Sequence, residues 1–257
     1  MRIATWNVNS IRVRADAVEA WLRTWQPDAL CLQEIKVEEK DFPRARFEAA
    51  GYRCAVSGQK TYNGVAILTR DEPEGVVPGF ADGADEDPQR RLLRVTVGGV
   101  RIVDAYCPNG DEVGSDKYAY KLAWFARLRR MLDAQEDPAR PLVLLGDFNV
   151  APADIDVHAP ERWKGKVLCS DAERAALADV QGWGLTDCLR KLHPDTPKLF
   201  TWWDYRLNAF PRGWGLRIDH VLASPPLAQR CTAVTVDLEP RKAERPSDHA
   251  PVCADFA

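Results

Sequence analysis

The protein has 257 residues, of which 46% are apolar and 28% are charged, and its formal net charge is −3. This composition excludes a low-complexity or disordered chain, and no run of roughly 18 apolar residues is present that would span a membrane. The net charge is slightly negative, whereas a simple nucleic-acid binder is strongly basic. This does not exclude nucleic acid as a partner, because a site in which carboxylates hold a metal ion is compatible with basic residues around it.

The chain shows no sign of division or export. No Gly/Ser-rich or Pro-rich linker interrupts it, so we expect residues 1–257 to form a single domain. Residues 1–7 lack the apolar segment of a secretory signal, and the seven cysteines contain no C-x-x-C pair. Buried reduced thiols are therefore favoured over disulfides or a zinc site. We expect a monomeric, cytoplasmic protein that does not contact a membrane.

Short apolar runs outnumber segments with helical spacing. In chain order the sequence predicts strands over 2–7, 29–33, 64–69, 92–97, 100–106, 142–145, 217–222, 234–238 and 250–256, and helices over 14–25, 117–132 and 171–181. Ser170 caps the last of these helices and Gly182 ends it. Tight turns join many neighbouring strands, which is unlike a doubly wound parallel sheet. The pattern favours an α/β fold of the α+β type, with two mixed sheets packed face to face and helices outside.

Acidic and amide residues recur where these apolar runs end. They are Asn7, Glu34, Asp147 with Asn149, Asp219, and Asp248 with His249. Taken singly, such a residue is in most cases a turn residue or a helix cap. Taken together, they supply what phosphodiester hydrolysis needs, namely oxygen ligands for a hard cation, a base for water and hydrogen-bond donors for the developing charge. Glu34 is the best candidate for a direct ligand of magnesium.

The motifs resemble those of a known family along nearly the whole chain. The matching stretches are 5–12 (TWNVNSIR), 32–36 (LQEIK), 62–66 (YNGVA), 106–110 (YCPNG), 146–149 (GDFN), 201–206 (TWWDYR), 216–219 (LRID) and 247–251 (SDHAP). In this order they resemble the endonuclease/exonuclease/phosphatase superfamily and, within it, exonuclease III and the abasic-site endonucleases. The resemblance implies a four-layer sandwich of two mixed β-sheets flanked by helices.

The resemblance also implies a metal site. Glu34 would bind Mg²⁺, for which Mn²⁺ is a possible substitute, and Asn7 would lie beside the metal and the scissile phosphate. Asp248 would support either the metal or His249. Asn9 is a further candidate, although it is an amide where some relatives carry an aspartate.

Five catalytic roles follow from the same resemblance. Asp147 would orient or deprotonate the attacking water, and Asn149 would donate to the phosphate and hold Asp147. Tyr106 would contact the phosphate near the leaving group. Asp219 would orient His249. Two interpretations of His249 stay open, a cation that binds a phosphate oxygen and a general base.

Other residues are implied to bind DNA. Trp202, Leu216 and Ile218 would form an apolar pocket for a flipped abasic sugar, which is cheap to extrude because it lacks its base. One of the two adjacent tryptophans is also interpretable as an ordinary core residue. Asn109 is a further site candidate. Lys121 is placed on a DNA-facing helix as a phosphate contact, with a solvated helix face as the alternative.

The implied function is a magnesium-dependent DNA-repair nuclease with 3′→5′ exodeoxyribonuclease and abasic-site endonuclease activity, and with 3′-phosphatase activity. Its partner would be double-stranded DNA with abasic sites or 3′ ends, at the nucleoid. One alternative is a related hydrolase of a non-DNA phosphoester such as a phosphoinositide. Another is a binding module without catalysis. The segment 152–170, with His158 and Trp163, is our candidate for the loop that sets the balance of activities.

Overall fold

The strongest apolar runs of the sequence become the central strands of two sheets. The computed structural model describes residues 1–84 and 87–257. Its strands are β1 (Arg2–Asn7), β2 (Ala29–Gln33), β3 (Arg53–Ser57), β4 (Val65–Thr69), β5 (Glu74–Pro78), β6 (Leu92–Val97), β7 (Val100–Tyr106), β8 (Leu142–Asp147), β9 (Thr186–Asp187), β10 (Asp219–Ala223), β11 (Cys231–Val236) and β12 (Val252–Phe256).

The helices lie between these strands in the chain. They are α1 (Ile11–Trp25), α2 (Arg44–Ala49), α3 (Asp116–Gln135), α4 (Pro160–Trp163), α5 (Asp171–Gln181), α6 (Cys188–Leu192) and α7 (Pro225–Ala228). Short 3₁₀ turns cover Glu39–Asp41, Asp154–Asp156, Arg206–Asn208 and Glu239–Lys242. Among the described residues, no helix has both the length and the apolar character needed to cross a membrane.

Each sheet has six strands and is mixed. The first runs in the order β11-β12-β1-β2-β4-β3 and the second in the order β5-β6-β7-β8-β10-β9. Each contains one parallel pair, β1 with β2 and β7 with β8, among antiparallel neighbours. Helix α1 connects β1 to β2 and helix α3 connects β7 to β8, because parallel strands need a long connection.

Three apolar clusters separate the layers. One fills the space between the sheets, with Ile3, Val143 and Val221 among its members. A second lies between the second sheet and helices α3 and α5, and a third between the first sheet and helices α1 and α2. The predicted four-layer sandwich is therefore confirmed, since burial of one sheet face and one helix face on each side gives this order of layers.

Candidate active site

The functional side chains lie where strands of both sheets end. In the first sheet, β1 ends at Asn7, and β2 ends one residue before Glu34. In the second sheet, Tyr106, Asp147 and Asp219 are register partners on the adjacent strands β7, β8 and β10. The carboxyl ends of parallel strands meet at one edge of a sheet, so both sheets deliver polar groups to a shared rim.

Gly146 allows Asp147 to reach this rim. Its φ is 141°, and a Cβ at this position would lie 1.9 Å from the carbonyl oxygen of Ala105. No side chain fits that space, so the glycine before the aspartate lets β8 approach β7 this closely. The Gly-Asp pair of the sequence is thereby explained by packing.

Asn7 joins the two sheets at the centre of the site. Its Nδ2 donates to Oε1 of Glu34 at 2.9 Å and to Oδ2 of Asp147 at 2.9 Å. Lys36 Nζ donates to the other carboxylate oxygen of Glu34 at 2.8 Å. Two carboxylates from different sheets are thus held around one amide nitrogen.

Asn149 fixes the orientation of Asp147 from the opposite side. Its main-chain N–H donates to Oδ1 of Asp147 at 2.9 Å, and its Nδ2 donates to Oδ2 at 3.2 Å. Asn149 has a left-handed φ of 51°, which is unusual for a residue other than glycine. Asn109 Nδ2 donates to Oδ1 of Asn149 at 3.0 Å. The predicted group of Asp147, Asn149 and Asn109 is therefore brought together.

His249 is held between two carboxylates. Its Nδ1 lies 2.9 Å from Oδ2 of Asp219, and its Nε2 lies 3.7 Å from Oδ2 of Asp147. Burial alone would lower the pKa of His249, but Asp219 and Asp147 outweigh it and raise the pKa to about 10. Burial raises the pKa of Asp147 to about 7, against the opposing charge of His249. At neutral pH the imidazole is therefore a cation with Nε2 turned toward Asp147.

Tyr106 borders the same carboxylates. Its side chain is 8% exposed, and burial, followed by the nearby charge of Glu34, raises the pKa of its phenol well above the usual value. The guanidinium of Arg91 lies 4.5 Å from the centre of its ring. The phenol is therefore a neutral O–H at the rim, suited to donate to a phosphate oxygen.

The oxygen-rich donor set suits a hard divalent cation. Asp147, Asp219 and His249 place possible ligand atoms within 4.8 Å of one another. However, His249 is bonded through Nδ1 and positively charged, so it is a poor ligand. Glu34 and Asp147 instead present carboxylate oxygens around Asn7, without any thiolate, which is the chemistry that magnesium prefers. The residues present therefore fit a cation on the Glu34 side of the site.

Asp248 lies away from that position. Its Oδ1 accepts from Asn9 Nδ2 and its Oδ2 accepts from Trp202 Nε1, each at 3.0 Å. Asn9 in turn accepts from Lys36. Asp248 is thus connected to Glu34 by hydrogen bonds that pass through Asn9 and Lys36. This indirect connection favours a supporting role for Asp248 over direct ligation of the metal.

The three pocket candidates do meet. Trp202 pairs with Leu216, and both belong with Ile218 to an apolar cluster that also contains Val157 and Trp163. Leu216 and Ile218 are 0% and 1% exposed, whereas Trp202 is half-buried. Of the three, Trp202 is therefore the one with exposed surface, and Leu216 and Ile218 are buried in the cluster that it packs against. The adjacent Trp203 is an ordinary core residue at 4% exposure.

The prediction that Lys121 contacts a DNA phosphate is wrong, and so is its alternative, a solvated helix face. Its side chain is 0% exposed, and Nζ donates to the main-chain oxygens of Asn109 and Asn149 and to the carboxylate of Glu173. A buried ammonium with three acceptors has no surface to offer to DNA. The physical reason is Glu173 on α5, which lies 52 residues further along the chain and draws the lysine inward.

Three residues of the site were given no role by the sequence. Lys36 pairs with Glu34. Ser247 Oγ donates to the main-chain oxygen of Asn7 and accepts from the N–H of His249. Thr201 Oγ1 accepts from the N–H groups of Ile218 and Asp219. All three lie inside the matching motifs, so position within a motif was the available signal.

The fold and this rim together define a hydrolase of phosphate esters, and comparison with known proteins agrees. The family model "Endonuclease/Exonuclease/phosphatase family" matches residues 4–249. Exodeoxyribonuclease III of Haemophilus influenzae is 37% identical over 100% of both chains.

Two solved structures are similar along their whole length. The 3′ phosphatase NExo from Neisseria, bound to a product DNA hairpin, has a TM-score of 0.96 and 48% identity, and the match covers 100% of this chain and 99% of that one. An AP endonuclease from Archaeoglobus fulgidus has a TM-score of 0.94 and 43% identity, with the same coverage. The chain belongs to the endonuclease/exonuclease/phosphatase family and, within it, to the exonuclease III and AP endonuclease group of nucleases, as its motifs predicted.

Proposed function

We propose that this protein is a magnesium-dependent nuclease of DNA repair that hydrolyses duplex DNA from 3′ ends and at abasic sites, and also removes 3′ phosphates. The observation that carries the proposal is the contact of Asp147 with both Asn7 and His249, which joins the two sheets in one phosphodiester-cleaving site. The relatives that act as an exodeoxyribonuclease, a 3′ phosphatase and an AP endonuclease support all three activities.

The geometry supports a division of labour on the phosphate. Asp147, fixed by Asn7 and Asn149, would orient the attacking water and accept its proton. His249 would donate from Nε2 to a phosphate oxygen as a cation, because its Nδ1 is engaged with Asp219. Tyr106 would donate to the phosphate near the leaving oxygen. This arrangement favours the cationic interpretation of His249 over the general-base interpretation.

A divalent cation would be held by Glu34 at the side of Asn7. When bound, it would neutralise charge on the phosphate as a Lewis acid. Magnesium fits this site because it needs few protein ligands and prefers oxygen, and manganese is the expected substitute. Asp248 would act through Asn9 and Trp202.

The substrate assignment rests on the rim around Trp202. Its half-buried ring, with Leu216 and Ile218 behind it, would receive an abasic sugar, and Asn109 would support the phosphate contacts through Asn149. We further propose that residues 1–257 act as one domain and as a monomer, since one chain supplies every group of the site. The cytoplasm, at the nucleoid, is the expected location.

The first experiment uses an end-labelled duplex with one synthetic abasic site. We expect wild-type protein to incise it with magnesium or manganese and not with chelator. Glu34→Gln and His249→Ala should each lower the rate by at least about 100-fold, since each removes charge stabilisation of the transition state. Product length on a gel separates incision from end trimming.

One Glu→Gln and one His→Ala substitution outside the site serve as controls. They show whether losing a carboxylate or an imidazole elsewhere in the protein affects folding or rate. Glu72→Gln and His193→Ala lie outside the site and should retain wild-type rates. Wild-type rates in Glu34→Gln or His249→Ala would contradict the assigned roles. Turnover of a phosphoinositide, without cleavage of DNA, would favour the alternative substrate class.

A further inference from the structure

Two cysteines that the proposed reaction does not use form a pair inside the protein. All seven cysteines are free thiols. Cys188 is 0% exposed and Cys231 is 5% exposed, and both belong to the apolar cluster between the sheets. Their side chains are in hydrogen-bonding contact with each other. A disulfide forms without backbone movement only between side chains that already approach each other, and this pair meets that condition.

The pair lies where the edges of the two sheets come together. Cys188 begins helix α6, directly after the edge strand β9 of the second sheet. Cys231 begins β11, which is an edge strand of the first sheet. Helix α6 packs against β9 and β10 on one side and against β11 on the other. A bond between the two sulfur atoms therefore fastens the second sheet to the first.

The strand registers place the pair away from the catalytic rim. Strand β9 pairs with the last two residues of β10, whereas Asp219 is the first residue of that strand. Cys231 pairs with Phe256 at the end of β12, whereas His249 precedes that strand. At a rise of about 3.3 Å per residue, these strand ends lie about 10 Å or more from the catalytic residues. Chemistry at the pair therefore leaves the rim in place.

Cys231 is the more reactive thiol of the two. The hydrogen bond from Cys188 lowers the pKa of Cys231, and the charge of Lys191 adds to this effect against the opposing effect of burial. Lys191 is held nearby on α6, where its Nζ donates to the main-chain oxygen of Ala228. The thiolate is the nucleophilic form of cysteine. Burial instead raises the pKa of the five cysteines outside the pair, which are Cys31, Cys54, Cys107, Cys169 and Cys253.

We propose that Cys188 and Cys231 are a dithiol that reduces hydrogen peroxide and thereby closes a disulfide clamp between the two sheets. The Cys231 thiolate attacks one peroxide oxygen and the O–O bond breaks. The hydroxide that leaves takes up a proton to become water, and Cys231 becomes a sulfenic acid. The sulfur of Cys188 then attacks the sulfur of Cys231, the S–O bond breaks, and the hydroxyl leaves as water with the proton of Cys188. Two thiols are oxidised to one disulfide, and one peroxide is reduced to two waters.

The clamp closes a loop of about 40 residues that contains β10 and the segment around Trp202. A cross-link of this length restricts the unfolded chain far more than the folded one, so it stabilises the protein. The inference adds a redox chemistry to the hydrolysis of phosphate esters and does not depend on it. The reduced pair is the resting form in a reducing compartment, and peroxide is the signal that closes it.

The test treats the wild-type protein with hydrogen peroxide and maps its peptides by mass spectrometry without reductant. We expect one cross-link, between Cys188 and Cys231, with free thiols falling from seven to five and returning to seven with dithiothreitol. The melting temperature of the oxidised form should be higher by about 5–10 °C. Absence of this cross-link would overturn the inference, and an unchanged melting temperature would overturn the clamp.

Three single variants assign the order of attack. In Cys188→Ala the sulfenic acid of Cys231 has no partner, so dimedone should label Cys231. In Cys231→Ala neither the disulfide nor a dimedone adduct on Cys188 should form. Labelling of Cys188 in that variant would overturn the assignment of Cys231 as the attacking thiol.

Cys54→Ala is the matched control. Cys54 is more exposed than Cys231, but burial raises its pKa to about 12. The Cys54→Ala protein should therefore close the disulfide as the wild-type protein does. Oxidation of Cys54 before Cys231 in the wild-type protein would show that exposure alone sets the reactivity and would overturn the inference. The oxidised and reduced proteins should cut DNA at equal rates, whereas a protein that cuts no DNA in either form contradicts the proposed function and leaves the peptide map to decide on the clamp.

Discussion

At the residue scale, the charge of His249 depends on Asp219. The imidazole is buried, and burial alone would favour its neutral form. The carboxylate 2.9 Å from Nδ1 both orients the ring and keeps it protonated. A change of this carboxylate should therefore alter the pH dependence of the reaction as well as its rate.

Asp219→Asn should lower kcat by about 100- to 10,000-fold at neutral pH. It should also move the alkaline limb of the kcat profile to lower pH. The sign follows from the raised pKa, because the cation that exists below about 10 in the wild-type protein is lost at lower pH once Asp219 is neutral. Steady-state assays from acid to alkaline pH measure both effects.

The matched control is Asp255→Asn on β12, which removes a carboxylate paired with Arg2 of β1. It should leave the profile unchanged. An Asp219→Asn protein that is slow but retains the wild-type alkaline limb would show that Asp219 orients His249 without setting its charge.

The residues at strand ends could be predicted from the sequence because local pattern decides their position. Glu34, Asp147 and His249 each adjoin an apolar run, and each lies at the rim. The partners of Lys121 could not be predicted in this way. Its inward orientation depends on Glu173, and no local pattern reports a contact between helices so far apart in the chain.

At the scale of elements, α3 and α5 stabilise the catalytic loops through this buried pair. Lys121 Nζ donates hydrogen bonds to the main-chain oxygens of Asn109 at 3.0 Å and Asn149 at 2.6 Å. Glu173 accepts from the N–H groups of Leu168 and Ser170. One ion pair therefore connects the loops after β7 and β8 to the start of α5.

Lys121→Met should destabilise the protein by about 3–5 kcal/mol, because it leaves the charge of Glu173 buried and unpaired. Adding Glu173→Gln should restore part of the free energy of unfolding, whereas kcat should stay low because the oxygens of Asn109 and Asn149 still lack their donor. Urea denaturation and single-turnover rates measure the two effects separately.

Arg94→Met combined with Glu136→Gln is the appropriate comparison. This pair is also buried, with side chains 2% and 9% exposed, but it lies away from the rim. It should cost stability without a specific loss of kcat. Full activity in the Lys121→Met, Glu173→Gln protein would reduce the pair to a purely structural role.

The elements themselves were predictable in proportion to how far they are buried. The strands over 29–33, 92–97 and 100–106 and the helix over 171–181, with its Ser170 cap, have the bounds that the sequence predicted. The strands β3, β5 and the two-residue β9 were missed. All three lie at sheet edges, where one side is unpaired, and β5 contains a glycine, a proline and exposed residues. Edge strands of this kind have little apolar pattern to detect.

At the scale of the whole molecule, a polar chain crosses the space between the sheets. Gln33 of β2 donates from Nε2 to Oδ1 of Asp104 on β7 at 2.7 Å, and also contacts Thr5. Oδ2 of Asp104 has no partner among the described residues. Burial raises the pKa of Asp104 well above its usual value, so the carboxyl is neutral in the folded protein.

Asp104→Asn should therefore stabilise the protein at neutral pH. A raised folded pKa means that Asp104 favours folding most below its unfolded pKa of about 4, and that this contribution is lost as the pH rises toward the folded value. An asparagine retains the acceptor for Gln33 and is neutral at every pH. Folding therefore carries no free-energy cost of keeping this side chain protonated. Urea denaturation at several pH values should show an advantage that shrinks as the pH falls toward 4.

Asp28→Asn provides the control, because it makes the same substitution at a half-exposed aspartate near the opposite end of β2, and it should not stabilise the protein at neutral pH. An Asp104→Asn protein that is less stable than wild type at neutral pH would show that the carboxyl is ionised and held by a contact other than Gln33.

The order of strands in the first sheet has one further consequence. Arg2 of β1 pairs with Asp255 of β12, 253 residues further along the chain. His249 and Asp248 precede β12 by a few residues, so the pairing of these two distant strands carries the imidazole to the rim. A chain in which β12 has not yet paired with β1 holds Glu34 and Asp147 without the imidazole of His249. Closure of the first sheet and completion of the proposed catalytic group are therefore one event in folding.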